Sequence, residues 1–370
     1  MFKLLISSLQ ELNISPGFLR LFDYITFRAL MAMVTGLLFN LLFGHKLVVF
    51  LYRKKLRDAS GDLQAINVYS KRGTPTAGGV LIILSTLVSL FWWADFVNPF
   101  MPVLIIGFLY LGLVGFIDDF QKSRFKSSLS GLSQVAKTVL LLLFVVPFAG
   151  YFLSNLNPLP SSMRTLIYIP FYKHPVVDLG PVAFFLFTLF ALFAIINAVN
   201  MADGLDGLLS GLSMVTIGVY GVFAYIIGNA VLSRHYLFPY FEGLAEISVF
   251  GAALVGGILG FMWYNFFPAE VFMGDTGSLA IGGAIAMMTF FCKQEILFLI
   301  VGGVFVFEIL TSLLQDKLAN WSKLGRRILH RAPFHHSLIH KGIAEPKAVF
   351  RLLIAAVVLA VIGLLSIKIR

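Results

Sequence analysis

The sequence predicts an all-α integral membrane protein with about ten transmembrane helices. Of its 370 residues, 59% are hydrophobic and only 12% are charged, whereas globular domains are about 45–50% apolar and about 25% charged. Apolar runs of spanning length recur along the chain, and ten helices of about 20 residues each would use about 200 positions. The only cysteine, Cys292, excludes a disulfide framework and a cysteine metal site.

Ten predicted spans follow one another with no soluble domain between them. They cover residues 22–44, 77–97, 101–120, 132–152, 180–200, 207–228, 247–267, 276–292, 296–314 and 349–367. The runs show little two-residue alternation and contain glycines such as Gly256, Gly257 and Gly260, which favours closely packed helices over barrel strands. Residues 1–21 lack a small-residue cleavage site, so we expect a surface-lying segment there and a single polytopic domain over 1–370.

Positive charges are concentrated in alternate loops. Loops 45–76, 121–137 and 315–348 carry seven, four and seven Lys or Arg residues, the short loops 198–206 and 266–276 of the same set carry none, and the opposite set carries Arg164, Lys173, Arg234 and Lys293. The positive-inside rule therefore predicts that these five loops are cytoplasmic and that both termini are periplasmic. We attribute the net charge of +10 to topology and to an anionic leaflet, and we expect no nucleic acid partner. An anionic substrate stays open.

Two adjacent carboxylates end the third run, where a charge-free stretch over 101–117 stops at Asp118 and Asp119. They could simply mark the end of a helix, but acids there oppose the helix dipole and repel each other. A pair with one partly desolvated carboxyl is suited to bind a divalent cation or to take a proton from a phosphate. Lys122 and Lys126, about one helical turn apart, would then face an anionic substrate.

Two further cytoplasmic loops carry carboxylates beside small residues. The run from Asn200 to Gly207 contains Asp203 and Asp206, of which one could cap the next helix. The second acid, with Asn200, suggests a polar ligand. Asp275 also stands where it could cap a helix, and a helix N-terminus favours phosphate as well. Three such loops on one face predict one metal–phosphate site.

Other polar motifs are more ambiguous. The loop from His330 to Gly342 holds four of the seven histidines, but it lacks the helical spacing of a zinc site, so phosphate contact is favoured. Lys71 opens a Gly/Thr-rich stretch without the spacing of a nucleotide-binding P-loop. Glu308 lies inside the ninth run, where an ionisable residue is a functional or pairing candidate.

Taken together, these motifs resemble the polyprenyl-phosphate N-acetylhexosamine-1-phosphate transferase superfamily. The shared motifs are Asp118-Asp119, the run from Asn200 to Gly207, the segment 272–278 and the loop around His335 and His336. The stretches 73–76, 268–272 and 332–336 are similar to the branch that uses muramoyl-pentapeptide donors. The resemblance covers nearly the whole chain in order.

The resemblance implies transfer of phospho-MurNAc-pentapeptide from UDP-MurNAc-pentapeptide to undecaprenyl phosphate, with Mg²⁺ and release of UMP, by a homodimer in the bacterial cytoplasmic (inner) membrane. It implies Asp118 as the base for the lipid phosphate and Asp275 as the principal Mg²⁺ ligand. Asp119 would support the metal or phosphate, and His335 completes the catalytic set. The implied substrate-binding residues are Lys71, Thr76, Lys122, Lys126, Asn200, Asp203, Asp206, Asn265, Phe272 and His336. One-step and two-step transfer both stay open.

One motif departs from the superfamily, and two other functions remain as alternatives. Ser337 stands in place of a third histidine and Ile339 in place of a glutamate, with His340 beside it. The first alternative is a sister enzyme that transfers GlcNAc-1-phosphate from UDP-GlcNAc to the same lipid. The second is a lipid or solute transporter, which the missing inverted repeat disfavours.

Overall fold

A computed structural model describes residues 17–54, 73–125, 131–321 and 331–369. Long helices occupy the predicted apolar runs in order: α1 (Ile25–Arg53), α2 (Gly79–Trp93), α3 (Phe100–Phe125), α4 (Gln134–Leu153), α5 (Gly180–Met201), α6 (Leu208–Ile227), α8 (Glu246–Asn265), α9 (Gly274–Phe291), α11 (Gly303–Trp321) and α13 (Glu345–Leu365). The short helices α7 (Ala230–His235), α10 (Phe298–Val301) and α12 (Phe334–His340) lie between them.

Seven of these helices are long and apolar enough to cross a membrane: α1, α3, α4, α5, α6, α8 and α13. Helix α2 and the first part of α11 are apolar but shorter. The predicted all-α membrane class is therefore confirmed, since a membrane-spanning helix satisfies its own backbone hydrogen bonds. The count of ten spans and the periplasmic termini remain predictions.

Two local features differ from a simple set of ten helices. The ninth run divides into α10 and α11 at Gly302, beside a second glycine, where low helix propensity favours a break. In the loop predicted over 157–181, strands β1 (Leu166–Ile167) and β2 (Val177–Asp178) pair antiparallel. This hairpin lies outside the long helices, so it does not conflict with helical spans.

Helix α9 occupies the centre of the bundle. It packs against α2, α3, α5 and α6, and every residue from Thr276 to Phe291 is buried. Close approach of α3 depends on Gly115, because a Cβ there would overlap the backbone carbonyl of Asp275 and the amide of Thr276. Small residues allow helix backbones to approach in this way. The contact brings the carboxylates at the end of α3 to the start of α9.

Buried ion pairs tie the helices together at the end opposite these carboxylates. Arg28 binds both carboxylate oxygens of Glu246 at 2.6 and 2.7 Å. Beyond the last turn of α9, Lys293 Nζ lies 2.9 Å from Glu295 and 4.3 Å from the centre of the Phe184 ring. Charges this deeply buried need such partners. The Arg28–Glu246 pair therefore joins α1 to α8, whereas the Lys293–Glu295 pair lies within one loop, which Lys293 connects to Phe184 of α5.

Candidate active site

The lysine on α3 bridges two of the predicted catalytic carboxylates. Lys122 Nζ lies 2.5 Å from Asp118 Oδ2 and 2.6 Å from Asp275 Oδ2. Lys137, on α4, lies 3.2 Å from Asp275 Oδ1. Asn200, at the end of α5, donates its amide to the same oxygen at 2.6 Å. Side chains from α3, α4 and α5 thus contact the carboxylate of Asp275 at the start of α9. Two of these side chains are cations and the third is an amide donor.

Asp119 caps the start of α9. Its Oδ1 accepts the backbone N–H of Asp275 at 3.0 Å, and its Oδ2 accepts the backbone N–H and the hydroxyl of Thr276 at 2.9 and 2.6 Å. A carboxylate at a helix N-terminus satisfies free amides and complements the helix dipole. Asp119 therefore fixes the position of Asp275, whereas its predicted support of a metal or phosphate stays a prediction.

The loop after α5 brings two more aspartates into the same region. Asp203 accepts the backbone N–H of Gly274, and Asp206 accepts that of Ala269 at 3.0 Å. Burial, with the negative charges of Asp275, Asp119 and Asp206, raises the pKa of the Asp203 carboxyl to about 8. Asp203 therefore holds a proton more tightly than an exposed aspartate does.

We expect this shifted carboxyl to give a pH-dependent stability. An unfolded aspartate titrates near pH 4, roughly, so the folded protein binds the Asp203 proton more tightly. The stability contributed by Asp203 is complete below that value and is lost as the pH rises through about 8. Asp203→Asn should flatten the fall in unfolding temperature between roughly pH 4 and 8, measured in detergent without divalent cations.

Asp178→Asn supplies the control for this measurement. Asp178 is exposed, and hydrogen bonds from Thr165 and the Gly180 amide lower its pKa, so it titrates below that pH window. Its replacement should leave the slope unchanged. A wild-type slope in Asp203→Asn would contradict the assigned charge state of Asp203.

Two predicted binding residues fasten loops in the structure. Asn265 Oδ1 accepts the Gly207 amide at 3.2 Å and the Ser210 hydroxyl at 3.1 Å, and its Nδ2 donates to the Val271 carbonyl at 3.0 Å. Asp206 likewise holds the segment before α9, because its Oδ2 accepts the backbone N–H of Ala269. Buried polar side chains need such partners. Direct contact of Asn265 and Asp206 with substrate remains a prediction.

Two segments with predicted substrate-binding residues, Thr76 in one and Phe272 in the other, also meet at this site. The amide of Phe272 donates to the Pro75 carbonyl, and Gly78 donates back to the carbonyl of Phe272, both at 2.9 Å. These bonds place the buried Thr76 in the segment that pairs with the residues leading into α9. Lys71 and Lys126 lie outside the described residues, so their predicted roles are not addressed by the structure.

The histidine loop joins the site through α12. His335 is buried with its Nδ1 3.1 Å from Glu308 Oε2, and the exposed His336 stacks at an angle on it with ring centres 4.3 Å apart. Ser337, at the departure from the motif, is buried and exchanges hydrogen bonds with the backbone of Arg331. These hydrogen bonds of the buried serine therefore stabilise the conformation of the loop.

Sequence reasoning missed two of these contacts. In the sequence, Lys137 contributes only to the positive charge of the loop 121–137, and its place near the start of the predicted span 132–152 was the available signal. The sequence indicates no partner for Glu308, because nothing in the linear pattern shows that α11 packs against α12. Both contacts depend on how the helices pack.

The donor set is compatible with Mg²⁺. Among the described residues, no group of three or more His, Cys, Asp or Glu side chains stands ready to hold a metal ion. Mg²⁺, however, commonly binds one or two carboxylates together with waters and substrate phosphates. The hard oxygen donors of Asp275 and Asp118, which lie on either side of Lys122, fit a divalent cation.

Comparison with known proteins identifies the family. A model of "Glycosyl transferase family 4" matches residues 101–293. Proteins named phospho-N-acetylmuramoyl-pentapeptide-transferase match over nearly their full lengths. The one from Maridesulfovibrio salexigens is 38% identical over 366 residues, covering 98% of this chain and 99% of the relative. Those from a Geobacter species and from Desulfovibrio desulfuricans are 39% and 40% identical, covering 94% and 95% of this chain and 95% and 96% of the relatives. The chain therefore belongs to the phospho-N-acetylmuramoyl-pentapeptide-transferase family.

Proposed function

We propose that this chain transfers phospho-MurNAc-pentapeptide from UDP-MurNAc-pentapeptide to undecaprenyl phosphate, giving the lipid-linked product and UMP. The observation that carries the proposal is the position of Lys122 between Asp118 and Asp275. It is supported by relatives that match over nearly their full length and are named phospho-N-acetylmuramoyl-pentapeptide-transferase. That arrangement places an acid–base group, a cation and a candidate metal ligand within hydrogen-bonding distance of one another. The muramoyl donor is preferred to UDP-GlcNAc because the relatives are named for it.

The proposed reaction exchanges one phosphoanhydride for another, so the enzyme mainly has to position two polyanions and offset their repulsion. An oxygen of the lipid phosphate attacks the phosphorus attached to MurNAc, and the bond from that phosphorus to the UMP oxygen breaks. Asp118 accepts the proton of the lipid phosphate, or orients the phosphate if it is already ionised. Lys122 and Lys137 neutralise phosphate charge next to Asp275.

We propose Mg²⁺ as the cofactor, held mainly by Asp275. When bound, Mg²⁺ neutralises charge on the donor diphosphate and polarises its phosphorus. Asp119 supports this arrangement by holding the first turn of α9 through its amides. Asn200 orients the Asp275 carboxylate from the other side and also donates to Ser278 at 2.7 Å.

The experiment that tests the function measures UMP release by the purified protein with Mg²⁺ and undecaprenyl phosphate. UDP-MurNAc-pentapeptide and UDP-GlcNAc are compared as donors, each with an EDTA control. We expect EDTA-sensitive release with the muramoyl donor alone. Release with UDP-GlcNAc alone would reassign the donor, and release that EDTA leaves unchanged would remove Mg²⁺ from the proposal.

The proposed setting is the bacterial inner membrane, and the enzyme acts there as a homodimer. The aspartate cluster lies on the cytoplasmic face and consists of Asp118, Asp119, Asp203, Asp206 and Asp275. The orientation rests on the charge asymmetry of the loops, which places Lys122 on the positive face. Reporter cysteines in a Cys292→Ser background, placed near each loop and labelled from one side of sealed vesicles, test the orientation. Mass measurement in detergent tests the dimer.

A further inference from the structure

A buried carboxylate–imidazole pair lies beside the aspartate cluster, and the proposed reaction assigns no role to its carboxylate. Glu308, on α11, has no exposed side-chain surface, and the His335 side chain is 1% exposed. Glu308 Oε2 lies 3.1 Å from His335 Nδ1 and 3.3 Å from the backbone nitrogen of His335. The neighbouring rings of Phe307 and Phe334 pack edge to face, with centres 5.0 Å apart. These contacts fix both the position and the rotation of the imidazole.

The other ring nitrogen faces the loop that carries the aspartates. A Cβ at Gly204 would overlap His335 Nε2, and Gly204 directly follows Asp203. Within the described residues, Nε2 is buried and has no hydrogen-bond partner. A buried polar atom without a partner is uncommon, because leaving it unpaired costs free energy. Its position beside the candidate site points to a substrate group as the missing partner.

The charge of the pair indicates what that substrate group is. A buried carboxylate is costly unless a cation offsets it, and among the described residues the group paired with Glu308 is His335. With hydrogens on both ring nitrogens, His335 donates Nδ1–H to Glu308 Oε2 and leaves Nε2–H as a donor, while Glu308 Oε1 has no hydrogen-bond partner among the described residues. Because phosphate oxygens accept hydrogen bonds and carry negative charge, the imidazolium complements a phosphate.

Building on the proposed function, on which this inference rests, we propose that Glu308 is a positioning residue for His335. It accepts the Nδ1–H of His335 and orients the opposite edge of the ring so that Nε2–H donates to the UMP phosphate. When the phosphorus–oxygen bond to UMP breaks, the electron pair stays on the UMP oxygen, and no proton has to move from His335. A donor placed where negative charge develops binds the transition state more tightly than the ground state.

The test compares steady-state kinetics of wild type, Glu308→Gln, Glu308→Asp, His335→Asn and the double variant Glu308→Gln/His335→Asn. Removing one preorganised donor typically lowers kcat by about 10²-fold, so we expect a loss of that order in His335→Asn. Glu308→Gln should lower kcat by at least about 10-fold, with the donor KM changed less than about threefold. Glu308→Asp, which keeps the charge on a shorter side chain, should lie between Glu308→Gln and wild type.

The double variant separates positioning from a general structural effect. If Glu308 acts through His335, Glu308→Gln causes no further loss of kcat once His335 is Asn. Glu295→Gln is the matched control, because Glu295 is also a buried, paired glutamate but lies at the far end of the bundle. We expect this control to lower the unfolding temperature while leaving kcat at the wild-type value.

Three results would overturn the inference while leaving the proposed function intact, because wild type would still release UMP. The first is wild-type kcat in folded Glu308→Gln. The second is an equal loss from Glu308→Gln in the His335→Asn background. If Glu308→Gln does not fold, Glu308→Asp decides, and wild-type kcat in that variant is the third. Absence of UMP release from folded wild type would instead refute the proposed function, and this inference with it.

Discussion

Replacing Asp275 with asparagine is expected to lower kcat by at least about 10²-fold while the protein still folds. Asparagine keeps the size of the side chain but removes the charge that pairs with Lys122 and Lys137 and that would hold Mg²⁺. Lys122 would keep its contact with Asp118, whereas Lys137 would lose its contact with a carboxylate charge. UMP release under saturating substrates measures kcat, and paramagnetic resonance of Mn²⁺, used in place of Mg²⁺, measures the accompanying loss of cation affinity.

Asp178→Asn is the matched control for that experiment. Asp178 accepts the Gly180 amide at 2.9 Å at the start of α5, so it is another aspartate next to a helix N-terminus, but it lies at the end of α5 remote from Asn200. We expect wild-type kcat and Mn²⁺ affinity in this variant. Near-full activity of Asp275→Asn would remove Asp275 from the proposed mechanism, whichever residue holds the metal.

The second large effect is expected from Gly115→Ala, which adds a single methyl group. A methyl group there would overlap the backbone of Asp275 and Thr276, and backbone cannot rotate away as a side chain can. Gly115→Ala must therefore shift α3 relative to α9 and disturb the hydrogen bonds of Asp119. Because displacement of reacting groups by about 1 Å can cost about 10²-fold in rate, we expect a loss of that order in kcat.

Gly112→Ala gives a control from the same helix, about one turn earlier. A Cβ at Gly112 would meet the end of the Ile83 side chain, which can change rotamer. We expect kcat close to wild type and a small fall in unfolding temperature. Equal losses of kcat in both variants would mean that general disruption of α3, rather than the position of Asp275, causes the effect.

The sequence predicted the positions of the helices well because lipid imposes a simple requirement on each of them. A run of about 20 apolar residues must form a helix to satisfy its backbone in a bilayer, and each predicted run contains one. The break at Gly302 was not predicted, since glycine is tolerated inside many membrane helices and tertiary packing decides whether it interrupts one.

The sequence also indicated the convergence of Asp118, Asp119 and Asp275, because topology alone places their loops on one face. It could not indicate which carboxylate serves which purpose. Asp119 proves to be a helix cap, a role that depends on the distance between α3 and α9 and therefore on Gly115. Contacts such as Lys137 with Asp275 join residues far apart in the chain, and no local pattern specifies them.

The position of α9 bears on how the fold could be redesigned to dissolve in water. None of the side chains of α9 is exposed, whereas large apolar side chains such as Leu42 and Phe190 are exposed on the surrounding helices. Polar replacements at such outer positions would change the solvent that the protein tolerates without altering the packing around Asp275. A redesign would therefore replace exposed apolar residues of the outer helices and keep the sequence of α9 unchanged.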